Sequence, residues 1–243
     1  MSSKIRVEEK NNNNESVSSS IMQSLPRDLL LNVIAIIGSQ SFIDLHKIKV
    51  CCKDFFEVAQ ERYVLQKISL DNFPFIQWIP NKNALLFFKR CVESKNSESL
   101  YRDGLLKYFN YPNGNMAGLK SLKIAAQMGH KEAMYVYGII LLCSEDHESK
   151  NQGVEYMRAL RKSKCIMSSR MKVQSLTNSL WKNNGILVRN QTPICNSKST
   201  CYGWRLKKGR WLLLDDEDDD FNLCENCRWD YELEFFYNLL NVE

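Results

Sequence analysis

At 243 residues the chain is long enough for one large domain or two or three small modules, and its 44% hydrophobic and 25% charged content is that of an ordinary globular protein. A formal net charge of +5 is too weak to mark a nucleic-acid binder by itself. The polar first twenty residues lack the apolar stretch of a secretory signal, and no run reaches the roughly 18 apolar residues of a membrane span. The expected setting is therefore cytoplasmic and/or nuclear, with the nine cysteines as reduced thiols or metal ligands.

Residues 1–23 carry an asparagine run, Asn11 to Asn14, and the serines Ser16, Ser18, Ser19 and Ser20. Such text buries too little apolar surface to offset its ordering entropy, so a disordered tail is expected. Residues 24–70 then read as helices. Pro26 falls in a first turn, where its missing N–H costs nothing, and Asp28 complements the helix dipole there. Leu29, Leu30, Val33, Ile34 and Ile37 make a broad apolar face, which Gly38 is placed to end. Ser41 with Asp44 predicts the capped start of a second helix carrying Phe42, Ile43, Leu45 and Ile48. A third helix is expected from about Cys52, carrying Phe55, Phe56, Val58 and Val64.

This segment resembles the F-box. Leu25, Pro26, Asp28, Leu29, Leu30 and then Ile34 stand where that family has its Leu-Pro-x-Asp-Leu-Leu opening. Asp44-Leu45 matches its second helix, and Val50-Cys51, Cys52-Lys53 and Phe55 match its third, although Asp54 intervenes before the aromatic. The resemblance implies a three-helix module that docks on the adaptor of an SCF-type cullin–RING ubiquitin ligase through Leu25, Pro26, Leu29, Leu30 and Ile34. Physics points the same way, since a motif of under about fifty residues with surplus apolar surface needs a partner.

Between Asp71 and Asn83 lies a Pro/Asn-rich linker holding Phe73, Pro74, Trp78 and Pro80. Linker and helical text together span 71–184, and the text repeats itself. Tyr101 to Leu106 returns as Tyr135 to Ile140, 34 residues on; Gly118-Leu119 with Leu122 and Ala125 returns as Gly153-Val154 with Met157 and Leu160, 35 on; Ala84-Leu85, Phe88 and Cys91 precede the same pattern by 34. A period near 34 with two helices per unit marks a tetratricopeptide-like array, the alternative being a plain helical bundle. In an array Gly104 and Gly138 occupy equivalent places where helices touch. Lys150 to Asn190 holds nine Lys or Arg and one acid, Glu155, which reads either as a solvated face or as a surface for an acidic partner or nucleic acid.

Residues 186–243 change grammar. Trp204 to Leu206 and Arg210 to Leu213 flank Lys207-Lys208-Gly209 as a predicted hairpin; Asp215 to Asp220 is an acidic loop; Arg228 to Leu240 is a closing amphipathic helix with Trp229, Leu233, Phe236 and Leu240 on one face. Cys195, Cys201, Cys224 and Cys227 are the last four cysteines, and Cys224-x-x-Cys227 has knuckle spacing while the first pair is looser. Four thiolates suit one structural zinc ion, the alternative being thiols packed in a small core.

The expected fold is mainly α: a three-helix box, a tetratricopeptide-like array, and a small hairpin-plus-helix cysteine-rich module. The looser resemblance of the later segments, at Ala125 to His130 with Ala133 and at Cys224 to Trp229, is to a plant group of F-box proteins. That implies a receptor recruiting a protein substrate for ubiquitination. The alternative is a zinc-containing helical-repeat protein in nuclear regulation, binding nucleic acid or an acidic partner. No catalytic residues are expected: there is no Gly-rich phosphate loop, nucleophile elbow or HExxH helix, and His46, His130 and His147 stand isolated in helical text.

Overall fold

The structure, a computed structural model, describes residues 25–75, 81–109, 114–179 and 224–240, together with 187, 189 and 192–195. Every regular element among them is a helix, so the protein is mainly α. The tail, the Trp78 and Pro80 part of the linker, the expected hairpin, the acidic loop and Cys201 lie outside the described residues. None of the described helices is long and apolar enough to cross a membrane. The chain divides into two compact units, Met1–Ser69 and Leu70–Glu243.

The first unit holds α1 (Arg27–Gln40), α2 (Phe42–Lys49), α3 (Lys53–Val58) and α4 (Arg62–Lys67). Pro26 stands one place earlier than expected, as the N-cap, and its carbonyl accepts the N–H groups of Leu29 and Leu30 at 3.0 and 3.1 Å. Ser41 caps α2 as predicted, its Oγ accepting the Asp44 N–H at 3.1 Å. Gly38 does not end α1. It lies buried inside the helix, where an added Cβ would meet Ile68 at 3.4 Å and Leu45 at 3.5 Å, ordinary contact distances. The expected third helix is two, joined by a turn in which Gln60 and Glu61 donate to Glu57 and Val58. Val58 and Val64 are both buried, yet six residues along one helix would set them roughly 240° apart. Breaking the helix turns both inward.

The second unit opens with six helices, α5 (Lys82–Glu93), α6 (Ser97–Tyr108), α7 (Met116–Gln127), α8 (Lys131–Leu142), α9 (His147–Lys162) and α10 (Ile166–Thr177), of which α6 with α7 and α8 with α9 pack most closely. The turns from α5 to α6, α7 to α8 and α9 to α10 share one device. Lys95, Gly129 and Lys164, 34 and then 35 residues apart, take φ of 61°, 84° and 52°. The next residue donates back over the turn: Asn96 to Cys91, His130 to Ala125, Cys165 to Leu160, all at 3.0–3.1 Å. This left-handed helix ending satisfies the otherwise orphaned carbonyls and launches the following helix in a fixed direction. Glycines repeat likewise. A Cβ on Gly118 would stand 2.8 Å from the Gly104 carbonyl oxygen, and one on Gly153 would stand 2.8 Å from that of Gly138. Backbone touches backbone at both places, which is why this period keeps its glycines.

The last helix, α11 (Glu225–Leu240), starts three residues before the expected one. Its apolar face is the predicted one, with Trp229, Leu233, Phe236 and Leu240 all buried. That face shares a single core with the repeats, and the Phe236 ring lies 6.2 Å from Phe109 and 6.3 Å from Tyr135.

Candidate docking face and cysteine cluster

In the first unit, burial divides α1 lengthwise. Leu29, Val33 and Ile36 fall within roughly 60° of helical arc, with Leu25 just ahead of the helix. They are exposed, Leu29 at 52% and Ile36 at 58%. Ile43 of α2 and Phe56 of α3 are exposed large apolar groups of the same unit. Pro26 is exposed and Leu30 half-buried. Ile34 does not join them. It is 1% exposed and packs with Ala35, Leu45, Val64 and Ile68 in the unit's own core. Five residues after Leu29, it stands roughly 140° round the helix, so one surface cannot take both. Val33 and Ile36, which the motif reading passed over, complete the stripe; the 4-4-3 spacing from Leu25 was the signal for them. The helices are tied by Arg27 to Glu61 at 2.7 Å and by the Tyr63 hydroxyl donating to Asn32 at 3.1 Å.

The repeats hold their turns with buried polar groups. His130 Nδ1 accepts the Ala133 N–H at 3.2 Å, capping α8, so its other nitrogen donates to Glu98 at 2.6 Å. The ring stacks on Tyr101 with 4.7 Å between centroids. Arg102 bridges Glu98 to the Leu70 and Phe73 carbonyls, fastening the incoming chain. Burial opposes the charge of Glu98, but the His130 hydrogen bond and the nearby Arg102 hold its carboxyl down to about 2. His130 is thus engaged in architecture, and His147 contacts Asn151 within its own helix at 3.1 Å.

Four cations of the basic stretch are met by acids of this unit. Arg158 grips Glu225 with two bonds, at 2.8 and 2.7 Å, and Lys172 meets Glu132 at 2.7 Å. Arg189 meets Glu234 at 2.6 Å, and Arg170 pairs with Glu232. Four of the cations therefore serve α8 and α11, which lowers the field left for an acidic partner.

The structure brings Cys195, Cys224 and Cys227 together, with their sulfurs all within 4.8 Å of one another. Cys195 Sγ and Cys224 Sγ are 3.6 Å apart. Thiolates at about 2.3 Å from a tetrahedral zinc lie roughly 3.8 Å from each other, so the donor set fits a soft divalent cation. The Cys227 N–H donates to Cys224 Sγ at 3.4 Å, the turn that sets a knuckle. Cys195 and Cys227 are buried and Cys224 is exposed. Sequence reasoning missed Asp230, whose carboxylate accepts the N–H groups of Ile194 at 2.7 Å and Cys195 at 3.1 Å. Its signal was the spacing: 224, 227 and 230 recur every three residues at one helix start.

Fold and site together define a helical-repeat protein that carries a short helical module with an apolar stripe outside its core. A family model of plant tetratricopeptide repeats matches residues 70–178. A protein of Arabidopsis thaliana named as an F-box protein is 30% identical over 220 residues, covering 84% of this chain and 72% of its own. A second F-box protein of that plant is 33% identical over 144 residues, covering 59% of this chain and 85% of its own. A third is 27% identical over 123 residues, 49% of this chain and 32% of its own. No solved structure matches the chain. The chain belongs to the F-box proteins, with a plant tetratricopeptide-like repeat region behind the box.

Proposed function

We propose that this F-box protein is a non-catalytic substrate receptor of an SCF-type cullin–RING ubiquitin ligase. It docks on the adaptor through α1 and offers a protein substrate to the ligase from the unit spanning Leu70–Glu243. One observation carries the reading: Leu29, Val33 and Ile36 are exposed along one side of α1, with Leu25 exposed just before it, while the opposite side is the module's core. An apolar stripe of that kind on so small a module calls for a partner surface. The receptor contributes proximity, raising the effective concentration of substrate at the transferring subunits. On this reading it works in the cytoplasm or the nucleus, where thiols stay reduced.

Leu29→Asp tests it. Because Leu29 is half exposed in the free protein, thermal unfolding is expected to stay within a few degrees of the parent. Binding to the adaptor should weaken by about 2–4 kcal/mol, as for a central interface anchor. Undiminished co-purification of the adaptor by the folded variant refutes the assignment.

We propose further that the cysteine cluster holds one structural zinc ion, through Cys195, Cys224 and Cys227 with Cys201 as the fourth ligand. All-thiolate coordination closes the shell and leaves no position for an activated water, so the metal's part is to join the Cys195 segment to the start of α11. Metal analysis of purified protein should give one zinc per chain, and Cys224→Ser well under half of that. Folded parent protein with less than half an equivalent of zinc defeats the proposal.

A further inference from the structure

We infer that Asp230 is the positioning residue of the metal site, fixing the Cys195 thiol where a metal ion needs it; this rests on the zinc reading above. Cys195 lies in a segment without regular structure, far from Cys224 and Cys227 in sequence. A thiol on such a segment is poorly placed unless its backbone is anchored, since ordering it at the moment of binding costs affinity. Asp230 supplies the anchor with both oxygens: Oδ1 takes the Ile194 N–H at 2.7 Å and Oδ2 the Cys195 N–H at 3.1 Å. Asp230 is 7% exposed, so these are charge-assisted bonds in a site that excludes most water. Its own position is set by α11, one turn beyond Cys227 and two beyond Cys224. The helix with the residue just before it therefore supplies two sulfur ligands and holds the third through that ligand's backbone. Orientation of ligands by neighbouring carboxylates is a general way in which proteins raise metal affinity.

Asp230→Asn is the informative change, because an amide oxygen replaces only one of the two acceptors and its NH₂ group meets an N–H donor. Zinc affinity of the full chain, measured by competition with a chromophoric chelator, should fall about 10–100-fold. Cobalt substitution gives a second reading: sulfur-to-cobalt charge-transfer absorption should drop in Asp230→Asn, because Cys195 is no longer held in place. Cys195→Ser and the double variant complete a cycle. If Asp230 acts through Cys195, adding Asp230→Asn to Cys195→Ser costs little more; full additivity overturns the inference. Glu234→Gln, which loosens α11 elsewhere by breaking the exposed pair with Arg189, should leave zinc affinity unchanged. An equal loss in Glu234→Gln means that Asp230 acts only through helix stability and overturns the assignment. Parent protein that binds zinc while Asp230→Asn binds it equally well overturns the role of Asp230 alone; parent protein that binds none overturns both.

Discussion

Replacing Glu232 by alanine is expected to cost about 3–5 kcal/mol, the scale for breaking a buried ion pair from one side. Glu232 accepts the Tyr135 hydroxyl at 2.9 Å and Arg170 Nε at 3.1 Å, and also pairs with Arg170 Nη2. The side chains of Arg170 and Glu232 are only 6% and 4% exposed. Without the carboxylate a guanidinium and a phenol remain buried without that acceptor, and the face of α11 bearing Phe236 loses its fastening to α8 and α10. The comparison is internal. Glu234, on the same helix, pairs with Arg189 of the preceding segment, but at 48% and 42% exposure, so Glu234→Ala should change stability by about 0–1 kcal/mol. Urea unfolding of both variants measures the difference; equal midpoints would mean that the buried pair carries no special weight. Replacing Arg170, Glu232 and Tyr135 together by apolar residues of similar volume should recover most of the loss, since it removes the stranded charge.

Gly118→Ala should be the next most damaging change, at or above the upper end of the usual range of about 1–3 kcal/mol for overpacking. The added carbon would stand 2.4 Å from the Tyr108 nitrogen, 2.8 Å from the Gly104 oxygen and 2.9 Å from the Lys107 carbonyl carbon. All three are backbone atoms, so no side chain can swing aside and α6 and α7 must part. Gly138→Ala is the contrast. Its nearest neighbours are Tyr156 Cβ at 3.2 Å and Met157 Sδ at 3.4 Å, which can give by a few tenths of an ångström. Against that small cost, alanine gains up to about 1 kcal/mol of helix propensity, so the net effect should lie near zero. Thermal unfolding of the two single variants tests the ranking, and an equally large loss at Gly138 overturns it.

Much of the fold was legible in the sequence because it is local. The 34-residue period fixed the helix pairs, and the Ser41 cap and the apolar face of α11 followed from patterns within a few turns of helix. The box was legible because its anchors cluster in fewer than about fifty residues. What failed were judgements about which way a residue faces. Ile34 was grouped with Leu25 and Leu29 by motif, though helical geometry sets it on the opposite side, in the core. Gly38 read as a helix end and proved to lie buried inside α1.

By itself the sequence determined the helical class, the repeat, the F-box resemblance and a cysteine cluster, because each is written in spacing along the chain. Only the tertiary structure decided the rest: that Glu232 meets Arg170 from 62 residues away, and that Asp230 holds the Cys195 backbone from 35. It alone made the basic stretch a set of partners for the acids of α8 and α11. The physical reason is that spacing along a helix fixes which residues share a face, whereas the partner of that face depends on how separate helices pack. A buried carboxylate and its distant cation leave no periodic trace in the chain; their match exists only once the core between them has closed.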